Sequence, residues 1–349
     1  MHDKKVAVAM SGGVDSSVAA AFLKNKGFNV FGVTLTLGYD NSKDVSDARS
    51  VAKMLDIPHH VISLEKAFDK NVISYFIQEY HRGKTPNPCA VCNPTIKFGL
   101  LLDKVIEMGA ELIATGHYAV ISYSAEKKRY LLKKGVEAGK DQSYFLSRLS
   151  QDSLSKTLFP VGTYKKNKIR ELAEKFGIHV AEKKESQEVC FIKNESVLEF
   201  IKRRSDKKLK PGKIVDTKGN ILAEHEGIEN FTIGQRKGLG IAMGKPVYVI
   251  EIHGDTGEIV IGDNPDLYKN KFLCTDPNWI SINKPDKALR VEAKIRYMHK
   301  PKPATILLKD DQNIIVEFDT PQRAITPGQL AVFYDKKIVV GSAWIDRVF

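Results

Sequence analysis

The sequence predicts an α/β fold in which a doubly wound parallel sheet is followed by a small, mostly β central domain and a C-terminal β-barrel. Strand and helix patterns alternate over the first half of the chain, which is typical of a parallel sheet with crossover helices. From about residue 200, short alternating strands separated by turn dipeptides replace the helical pattern. A length of 349 residues also favours two or three domains over one core.

The elements of the predicted parallel sheet follow one another in order along the chain. The predicted strands are 5–10, 29–37, 60–64 and 111–115, and the predicted helices are 18–26, 46–55, 68–80 and 96–108. A Pro-rich segment before residue 96 is interpreted as a loop. We expect domains at 1–200, 201–270 and 271–349, with antiparallel strands in the last two. The run K-R-R-S-D-K-K-L-K-P-G-K (202–213) is interpreted as a basic linker or an exposed loop.

Charge and hydropathy restrict the classes of protein. The formal net charge of +12 favours a nucleic-acid partner, although a generally lysine-rich proteome would give the same excess. The start M-H-D-K-K-V-A-V-A-M does not resemble a signal peptide, and no apolar run is long enough to cross a bilayer. We therefore expect a cytoplasmic protein without a membrane partner. Its four cysteines are then better interpreted as catalytic, metal-binding or buried than as disulfides.

The segment Met10–Ser17, M-S-G-G-V-D-S-S, lies between a predicted strand and a predicted helix. Glycines let the backbone approach an anion closely, and a helix N-terminus adds free N–H groups and a favourable dipole. The serine hydroxyls suit phosphate oxygens, and Asp15 is a candidate ligand for Mg²⁺. The Walker lysine and the G-x-G-x-x-G spacing are both absent. The alternative is a glycine-rich turn capped by serines.

Three cysteines are candidates for sulfur or metal chemistry. Cys89 and Cys92 form a C-x-x-C pair in the Pro-rich loop, and Cys190 follows about a hundred residues later in S-Q-E-V-C-F-I. Half of a zinc knuckle is the structural alternative, but a second C-x-x-C is missing. Cys274 lies in an apolar β segment and is predicted to be a core residue.

The loop S-G-G-V-D-S-S resembles the pyrophosphate loop of the ATP pyrophosphatase superfamily, whose members adenylate an oxygen and release pyrophosphate. Further motifs stand in order along the chain: T-P-N-P-x-x-x-C-N-x-x-I-K-F, T-G-H-Y, K-D-Q-S-Y-F-L, C-F-I, G-Q-R-K-G-L-G and T-P-G-Q-L-A-V-F-Y. Together they resemble the bacterial tRNA-specific 2-thiouridylase family over nearly the whole chain. The resemblance implies ATP-dependent adenylation of the C2 oxygen of a wobble uridine, followed by replacement of that oxygen with sulfur.

The same resemblance implies roles for individual residues. ATP would be bound by Ala9, Met10, Ser11, Gly12, Gly13, Val14, Asp15, Ser16, Leu35 and Gly116. Cys92 would be the catalytic nucleophile and Cys190 the carrier of a persulfide, the pair ending as a disulfide that is then reduced. An alternative order has Cys92 release hydrosulfide first. The tRNA, contacted through its anticodon arm, would meet Asn87, Pro88, Cys89, His117, Lys140, Asp141, Gln142, Arg296, Tyr297 and Gln329.

Several of the implied RNA contacts have a structural alternative. His117 is equally typical of a satisfied, partly buried histidine, and Asp141 of the N-cap of a following helix. Arg296 and Tyr297 suit phosphates and splayed bases, but also a strand surface and a core. The basic loop 234–240 suits a phosphate backbone or a mere hairpin turn, and the basic helix 165–175 is predicted to be solvated or to face RNA.

The chain departs from the family at Cys89, where many members carry aspartate. The change creates a set of three cysteines, Cys89, Cys92 and Cys190. Related tRNA-thiolating enzymes also use three cysteines, as the ligands of a labile [4Fe–4S] cluster. A persulfide relay and a cluster are therefore both hypotheses. The sulfur donor is expected to be a cysteine desulfurase, a relay protein or free sulfide.

Two other functions compete with the thiouridylase. One is another enzyme built on the same ATP loop, either a thiolase for a different tRNA position or base or an amide-forming synthetase. The C-x-x-C pair and the C-F-I motif argue against an ordinary ligase, which needs no thiol. The second is a non-catalytic RNA-binding protein with a vestigial nucleotide fold.

Overall fold

The computed structural model describes residues 4–178, 189–241 and 243–349. The first unit is a five-stranded parallel sheet in the order β3-β2-β1-β4-β7. Its strands are β1 Lys5–Ala9, β2 Asn29–Thr36, β3 His59–Ser63, β4 Leu112–Thr115 and β7 Thr157–Leu158. The predicted doubly wound α/β fold is confirmed.

Helices cover both faces of this sheet because residues of the central strand alternate between two cores. Val6 and Val8 pack with α1 (Val14–Asn25), α2 (Ser42–Met54) and α9 (Lys166–Lys175). Ala7 faces the opposite core, beneath α6 (Leu101–Glu107) and α8 (Gln151–Ser155). The remaining helices are α3 Glu65–Phe68, α4 Ser74–His81, α5 Pro88–Cys92, α7 Ser143–Leu146 and α10 Val197–Arg204. Burial on both faces accounts for the near-continuous apolar run of β1.

The predicted loop before residue 96 is right for residues 84–87 and wrong beyond them. Helix α5 begins at Pro88, and a π-helical segment, Asn93–Leu100, connects it to α6 without a break. Asn87 caps this helix by accepting a hydrogen bond from the Ala90 amide at 3.3 Å. Proline at the first helical position costs no hydrogen bond, so Pro88 marks a helix start, whereas Pro86 lies in the loop before it. A second π-helical segment, Asp69–Ile73, joins α3 to α4.

The chain beyond α10 forms two β units. The first is a four-stranded sheet in the order β10-β11-β8-β9, from Tyr248–His253, Glu258–Gly262, Gly212–Val215 and Ile221–His225. It is not purely antiparallel as predicted, because β8 and β11 pair in parallel. The predicted basic linker is also partly wrong, since its first three residues, 202–204, end α10. One short 3₁₀ turn, Ile228–Asn230, lies between β9 and β10, and another, Asn264–Leu267, follows β11.

The predicted C-terminal barrel is present as six antiparallel strands that β12 and β17 close by pairing with each other. Its strands are β12 Tyr268–Trp279, β13 Leu289–Lys294, β14 Lys302–Leu308, β15 Asn313–Arg323, β16 Leu330–Asp335 and β17 Ile338–Val348. A hairpin from the first half of the chain, β5 (Ala119–Ser124) and β6 (Arg129–Lys134), extends the sheet beside β17. Cys274 is fully buried in the barrel core, as predicted.

No helix among the described residues is both long and apolar enough to cross a membrane.

Candidate active site

A cavity of about 390 Å³ lies beyond the carboxyl ends of β1 and β4, where the chain leaves neighbouring strands in opposite directions. Open α/β sheets bind ligands at such a topological switch point. Met10, Ser11, Asp15 and Ser16 of the predicted loop line this one cavity together with Gly116 and all three candidate cysteines, whereas Gly12, Gly13 and Val14 do not line it. Its wall includes Ala9, Met10, Ser11, Asp15, Ser16, Leu35, Pro88, Cys89, Cys92, Gly116, His117, Gln142 and Cys190.

The loop at residues 10–13 is built to hold an anion. Gly12 has a positive φ of 67°, and a Cβ there would lie 2.6 Å from the Asp44 carbonyl oxygen. Ser16 Oγ accepts from the Ser11 amide at 3.1 Å and donates to the Gly13 carbonyl at 3.1 Å, which fixes the turn. The first turn of α1 has no side-chain cap. Its N–H groups and dipole are therefore directed at the cavity.

Asp15 is held by two partners from distant parts of the chain. The Tyr118 hydroxyl donates to Asp15 Oδ1 at 2.6 Å, and Lys166 Nζ lies 2.8 Å from each carboxylate oxygen. The Lys166 side chain is only 13% exposed. The predicted solvated or RNA-facing position is therefore wrong for Lys166, which instead neutralises a carboxylate beside the phosphate loop.

Gly116 and His117 form the opposite wall, directly after β4. A Cβ on Gly116 would lie 2.6 Å from the Ser16 amide nitrogen, so only glycine lets this turn approach α1 so closely. His117 Nδ1 and Thr115 Oγ1 are 2.7 Å apart, and the imidazole packs between Phe98 and Phe159. Burial, together with the positive charge of Lys97, holds the pKa of His117 well below its usual value. The imidazole is therefore neutral at physiological pH.

Cys89 and Cys92 enter the cavity from α5. Cys92 is 8% exposed, whereas Cys89 has solvent contact within the cavity. Burial raises the pKa of Cys92 to about 12, and it raises the pKa of Cys89 as well, because the surrounding protein disfavours a thiolate. The positive charge of Lys97 opposes both shifts. Both thiols are therefore protonated at neutral pH until a partner stabilises their anions.

Cys190 reaches the cavity from a turn on the other side. Its neighbour Phe191 is buried against Phe68 and Phe76, with ring centroids 5.6 Å and 5.2 Å away, and this packing anchors the turn. Tyr39 lies beside the Cys190 thiol, and its pKa is raised by burial and by that thiol. The first three residues of the S-Q-E-V-C-F-I motif, 186–188, lie outside the described residues.

Lys97 is a site residue that sequence reasoning did not single out. It lies in the π-helical segment five residues after Cys92, and it lines the cavity beside the thiols. Its position within the quoted I-K-F motif was the available signal. A π-helical turn spans more residues than an α-helical turn, so spacing on an ordinary helix does not place Lys97 with Cys92.

The predicted RNA contacts fall into two groups. Gln142 lines the cavity and accepts from the Tyr118 amide at 2.9 Å, and Asn87 and Pro88 are buried at the start of α5. Asp141 is buried, and its carboxylate accepts from the Gly135 amide and from the amide and hydroxyl of Ser143. The implied RNA contact does not suit this inward-facing carboxylate. Its bond to the Ser143 amide, at the first residue of α7, is the type of contact that the N-cap alternative predicts, although Gln142 occupies the N-cap position itself.

The barrel contributes the second group. Gln329 Nε2 donates to the carbonyls of Thr85 and Pro86 at 2.9 and 3.2 Å, so it fixes the segment that leads into α5. Tyr297 lies in a turn after β13 and packs on Phe145, with ring centroids 4.6 Å apart. Arg296 donates to the Arg323 carbonyl at 3.3 Å. The alternative of a strand surface is therefore wrong for Arg296, whereas the alternative of a core aromatic agrees with Tyr297, which packs against a buried hydrophobic core. Lys140 lies in the turn before Asp141.

Within the described ranges, no three His, Cys, Asp or Glu side chains are placed so that they could hold one metal ion. Cys89, Cys92 and Cys190 share the cavity, but as placed they do not form such a ligand set.

Three families of known proteins match successive parts of the chain. They are described as tRNA methyl transferase HUP domain (residues 4–194), tRNA methyl transferase PRC-barrel domain (198–263) and aminomethyltransferase beta-barrel domain (269–345). The tRNA-specific 2-thiouridylase MnmA of Acetivibrio thermocellus is 48% identical, covering 99% of this chain and 100% of the relative. That of Clostridioides difficile is also 48% identical, covering 99% of each chain.

Among solved structures, the U34-tRNA thiolase NcsA from Methanococcus maripaludis, described with its [4Fe-4S] cluster, matches with a TM-score of 0.37 and 20% identity. The match covers 59% of this chain and 65% of that one. A similarity of this size carries no argument about the site.

Proposed function

The chain belongs to the tRNA-specific 2-thiouridylase family, and we propose from this premise that its cavity adenylates the C2 oxygen of the wobble uridine and replaces that oxygen with sulfur. It is a sulfurtransferase that uses ATP and acts on tRNA. One observation carries the proposal: the phosphate loop and three cysteines from two separate elements line the same cavity. An ordinary ligase has no use for that combination.

The first half of the reaction belongs to the phosphate-loop end. The amides at the start of α1, with the hydroxyl of Ser11, would bind the phosphates of ATP, while Ser16 holds the turn in place. The C2 oxygen of uridine attacks the α-phosphorus, pyrophosphate leaves, and the C2–O group becomes a leaving group. Mg²⁺ would be held by the phosphates with Asp15 and Asp44, the carboxylates in the cavity wall, and it would neutralise the charge that develops on pyrophosphate.

The second half belongs to the cysteines. The terminal sulfur of a Cys190 persulfide forms a bond to C2, and the C2–O bond breaks with its electron pair leaving on AMP. The Cys92 thiolate then attacks the Cys190 sulfur, which forms a Cys92–Cys190 disulfide and expels the sulfur of 2-thiouridine. A dithiol reductant restores the two thiols. In the alternative order, Cys92 releases hydrosulfide from the persulfide before C2 is attacked.

A [4Fe–4S] cluster held by Cys89, Cys92 and Cys190 is the competing route. Thiolates are the normal ligands of such a cluster. The placement of the three thiols does not supply a ready ligand set for a metal ion, so we derive no step through a cluster. The relay through Cys190 and Cys92 needs only the two thiols and the sulfur that the persulfide carries.

The partners follow from the same chemistry. The target base is the wobble uridine, so the anticodon arm is the part of tRNA that enters the cavity. This base must leave its stack to expose C2. Arg296, Tyr297 and Lys140 are our proposed contacts beyond the cavity, whereas Gln329 acts by holding Thr85 and Pro86. For the persulfide relay the sulfur donor is a cysteine desulfurase or a relay protein, which supplies sulfur already at the persulfide level. Free sulfide is the donor for the cluster route, because sulfide alone cannot convert a thiol into a persulfide. The compartment is the cytoplasm. We propose three domains, with boundaries near residues 200 and 270.

Mass spectrometry of nucleosides tests this function. Unmodified tRNA is incubated with the protein, ATP, Mg²⁺ and a sulfur source, either as a persulfide or after anaerobic reconstitution with iron and sulfide. We expect 2-thiouridine with persulfide alone, in amounts that depend on ATP. Activity only after iron reconstitution would favour the cluster, and a thiolated base at another position would favour the competing thiolase. The absence of tRNA-dependent pyrophosphate release under both conditions would favour a non-catalytic RNA-binding protein.

A further inference from the structure

The cavity contains one positively charged group among the thiols. Lys97 is half-buried and lines the cavity with Cys89, Cys92 and Cys190. Within residues 4–178, 189–241 and 243–349, no hydrogen bond or ion pair joins the Lys97 ammonium to another side chain. Most other lysines near the cavity are engaged: Lys166 binds Asp15, and Lys193 Nζ donates to the Asp40 carbonyl. An ammonium without an anion is costly to bury, so its position indicates an anionic ligand.

The backbone of this helix explains why Lys97 faces the thiols. Cys89 and Cys92 are three residues apart, and Lys97 follows five residues after Cys92 in the π-helical segment Asn93–Leu100. Because hydrogen bonds in a π-helix span five residues, this wider turn brings Lys97 to the face that carries the cysteines. π-Helical turns are often found at functional sites. The positive charge of Lys97 acts to lower the pKa of both thiols, as expected for a cation close to them.

We propose that Lys97 is a catalytic residue of the sulfur-transfer step, in which its ammonium contacts the anionic sulfur that passes from Cys190 to C2. This inference rests on the proposed function. As the terminal persulfide sulfur bonds to C2 and the C2–O bond breaks, one negative charge moves from sulfur to the oxygen that leaves on AMP. A fixed cation along this path stabilises the charge throughout the step, and a cavity screened from water strengthens the effect.

The charge of Lys97 can be measured without any turnover. Iodoacetate and iodoacetamide attack the same thiolate but differ by one negative charge, so their rate ratio at Cys89 reports the local potential independently of the thiol pKa. Peptide mass spectrometry would give this ratio for the unmodified protein and for Lys97→Met. We expect the preference for iodoacetate to fall about fivefold or more in Lys97→Met, because one nearby positive charge is removed.

Two variants serve as matched controls. Lys97→Arg keeps the charge and should keep the ratio. Lys104→Met removes an exposed lysine of the same continuous helix, one that pairs with Glu107, and should leave the ratio unchanged. Lys97→Gln provides a second neutral variant if Lys97→Met folds poorly, as judged by its thermal midpoint. An unchanged ratio in both neutral variants would overturn the proposal.

Activity measurements separate this inference from the function itself. In Lys97→Met we expect 2-thiouridine formation to fall about 100-fold, as for the loss of one charge-stabilising group. The tRNA-dependent release of pyrophosphate should change by less than about threefold. An equal loss of both would assign Lys97 to adenylation and contradict a role in sulfur transfer. Failure of the unmodified protein to form 2-thiouridine would refute the proposed function. The ratio of iodoacetate to iodoacetamide rates at Cys89 tests the charge of Lys97 whether or not 2-thiouridine is formed.

Discussion

Replacing Cys190 with serine should abolish 2-thiouridine formation by at least about 1,000-fold while leaving tRNA binding unchanged. A hydroxyl cannot carry a persulfide, and it cannot form the disulfide with Cys92. The phosphate loop lies on a different element from Cys190, so pyrophosphate release in the presence of ATP and tRNA should persist. Nucleoside mass spectrometry, a tRNA filter-binding assay and a pyrophosphate assay together check this pattern.

Cys274→Ala is the matched control for Cys190→Ser, because Cys274 is fully buried in the barrel core, away from the cavity. It should retain thiolation and lose only some stability. Full activity in Cys190→Ser would contradict the persulfide relay and the cluster together, since both need that thiol. Simultaneous loss of tRNA binding would indicate that Cys190 acts in the fold and not in the chemistry.

Replacing Gly116 with alanine should reduce pyrophosphate release by about 100-fold or more. The added Cβ would lie 2.6 Å from the Ser16 amide nitrogen and 2.8 Å from the Asp15 carbonyl carbon, so the start of α1 must move. Overpacking of this kind typically costs about 1–3 kcal/mol of stability. A displacement of about 1 Å at a phosphate site can itself cost two orders of magnitude in rate.

Gly139→Ala is the control for Gly116→Ala, because a Cβ at Gly139 meets nothing within 4 Å and lies in open space. Its activity and its thermal midpoint should both stay close to those of the unmodified protein. Isothermal titration calorimetry of ATP binding shows whether Gly116→Ala has disturbed the phosphate loop. Normal ATP affinity in that variant would show that the turn after β4 does not set the geometry of the phosphate loop.

The part of the fold that the sequence predicts depends on local patterns. Alternating strands and helices predict the parallel sheet, and the chain order of those elements places the loop at residues 10–13 beside Gly116. The β5–β6 hairpin was not predicted to join the barrel, because β6 pairs with β17 through residues about 200 positions apart. Long-range pairing leaves no periodic trace in the sequence. The helix at Pro88 was missed because proline signals both loops and helix starts.

The candidate site shows the same division. Motifs identify the phosphate loop and the cysteines, since each is a short segment with an unusual composition. Asp15 and Lys166 pair although they are 151 positions apart, so the sequence around either residue does not predict its partner. Lys97 faces the thiols only because a π-helical turn replaces an α-helical one, and sequence spacing does not predict that change. The three-dimensional structure therefore adds which side chains contact each other, more than which residue types are present.

In the proposed reaction, adenylation and sulfur transfer act on one uracil carbon within one cavity. The most direct test uses tRNA whose wobble uridine carries ¹⁸O at C2, incubated with the protein, ATP, Mg²⁺ and a persulfide donor. We expect one ¹⁸O atom in each AMP released, with the AMP equal in amount to the 2-thiouridine formed. Recovery of the label in water or in pyrophosphate, with 2-thiouridine still produced, would contradict it.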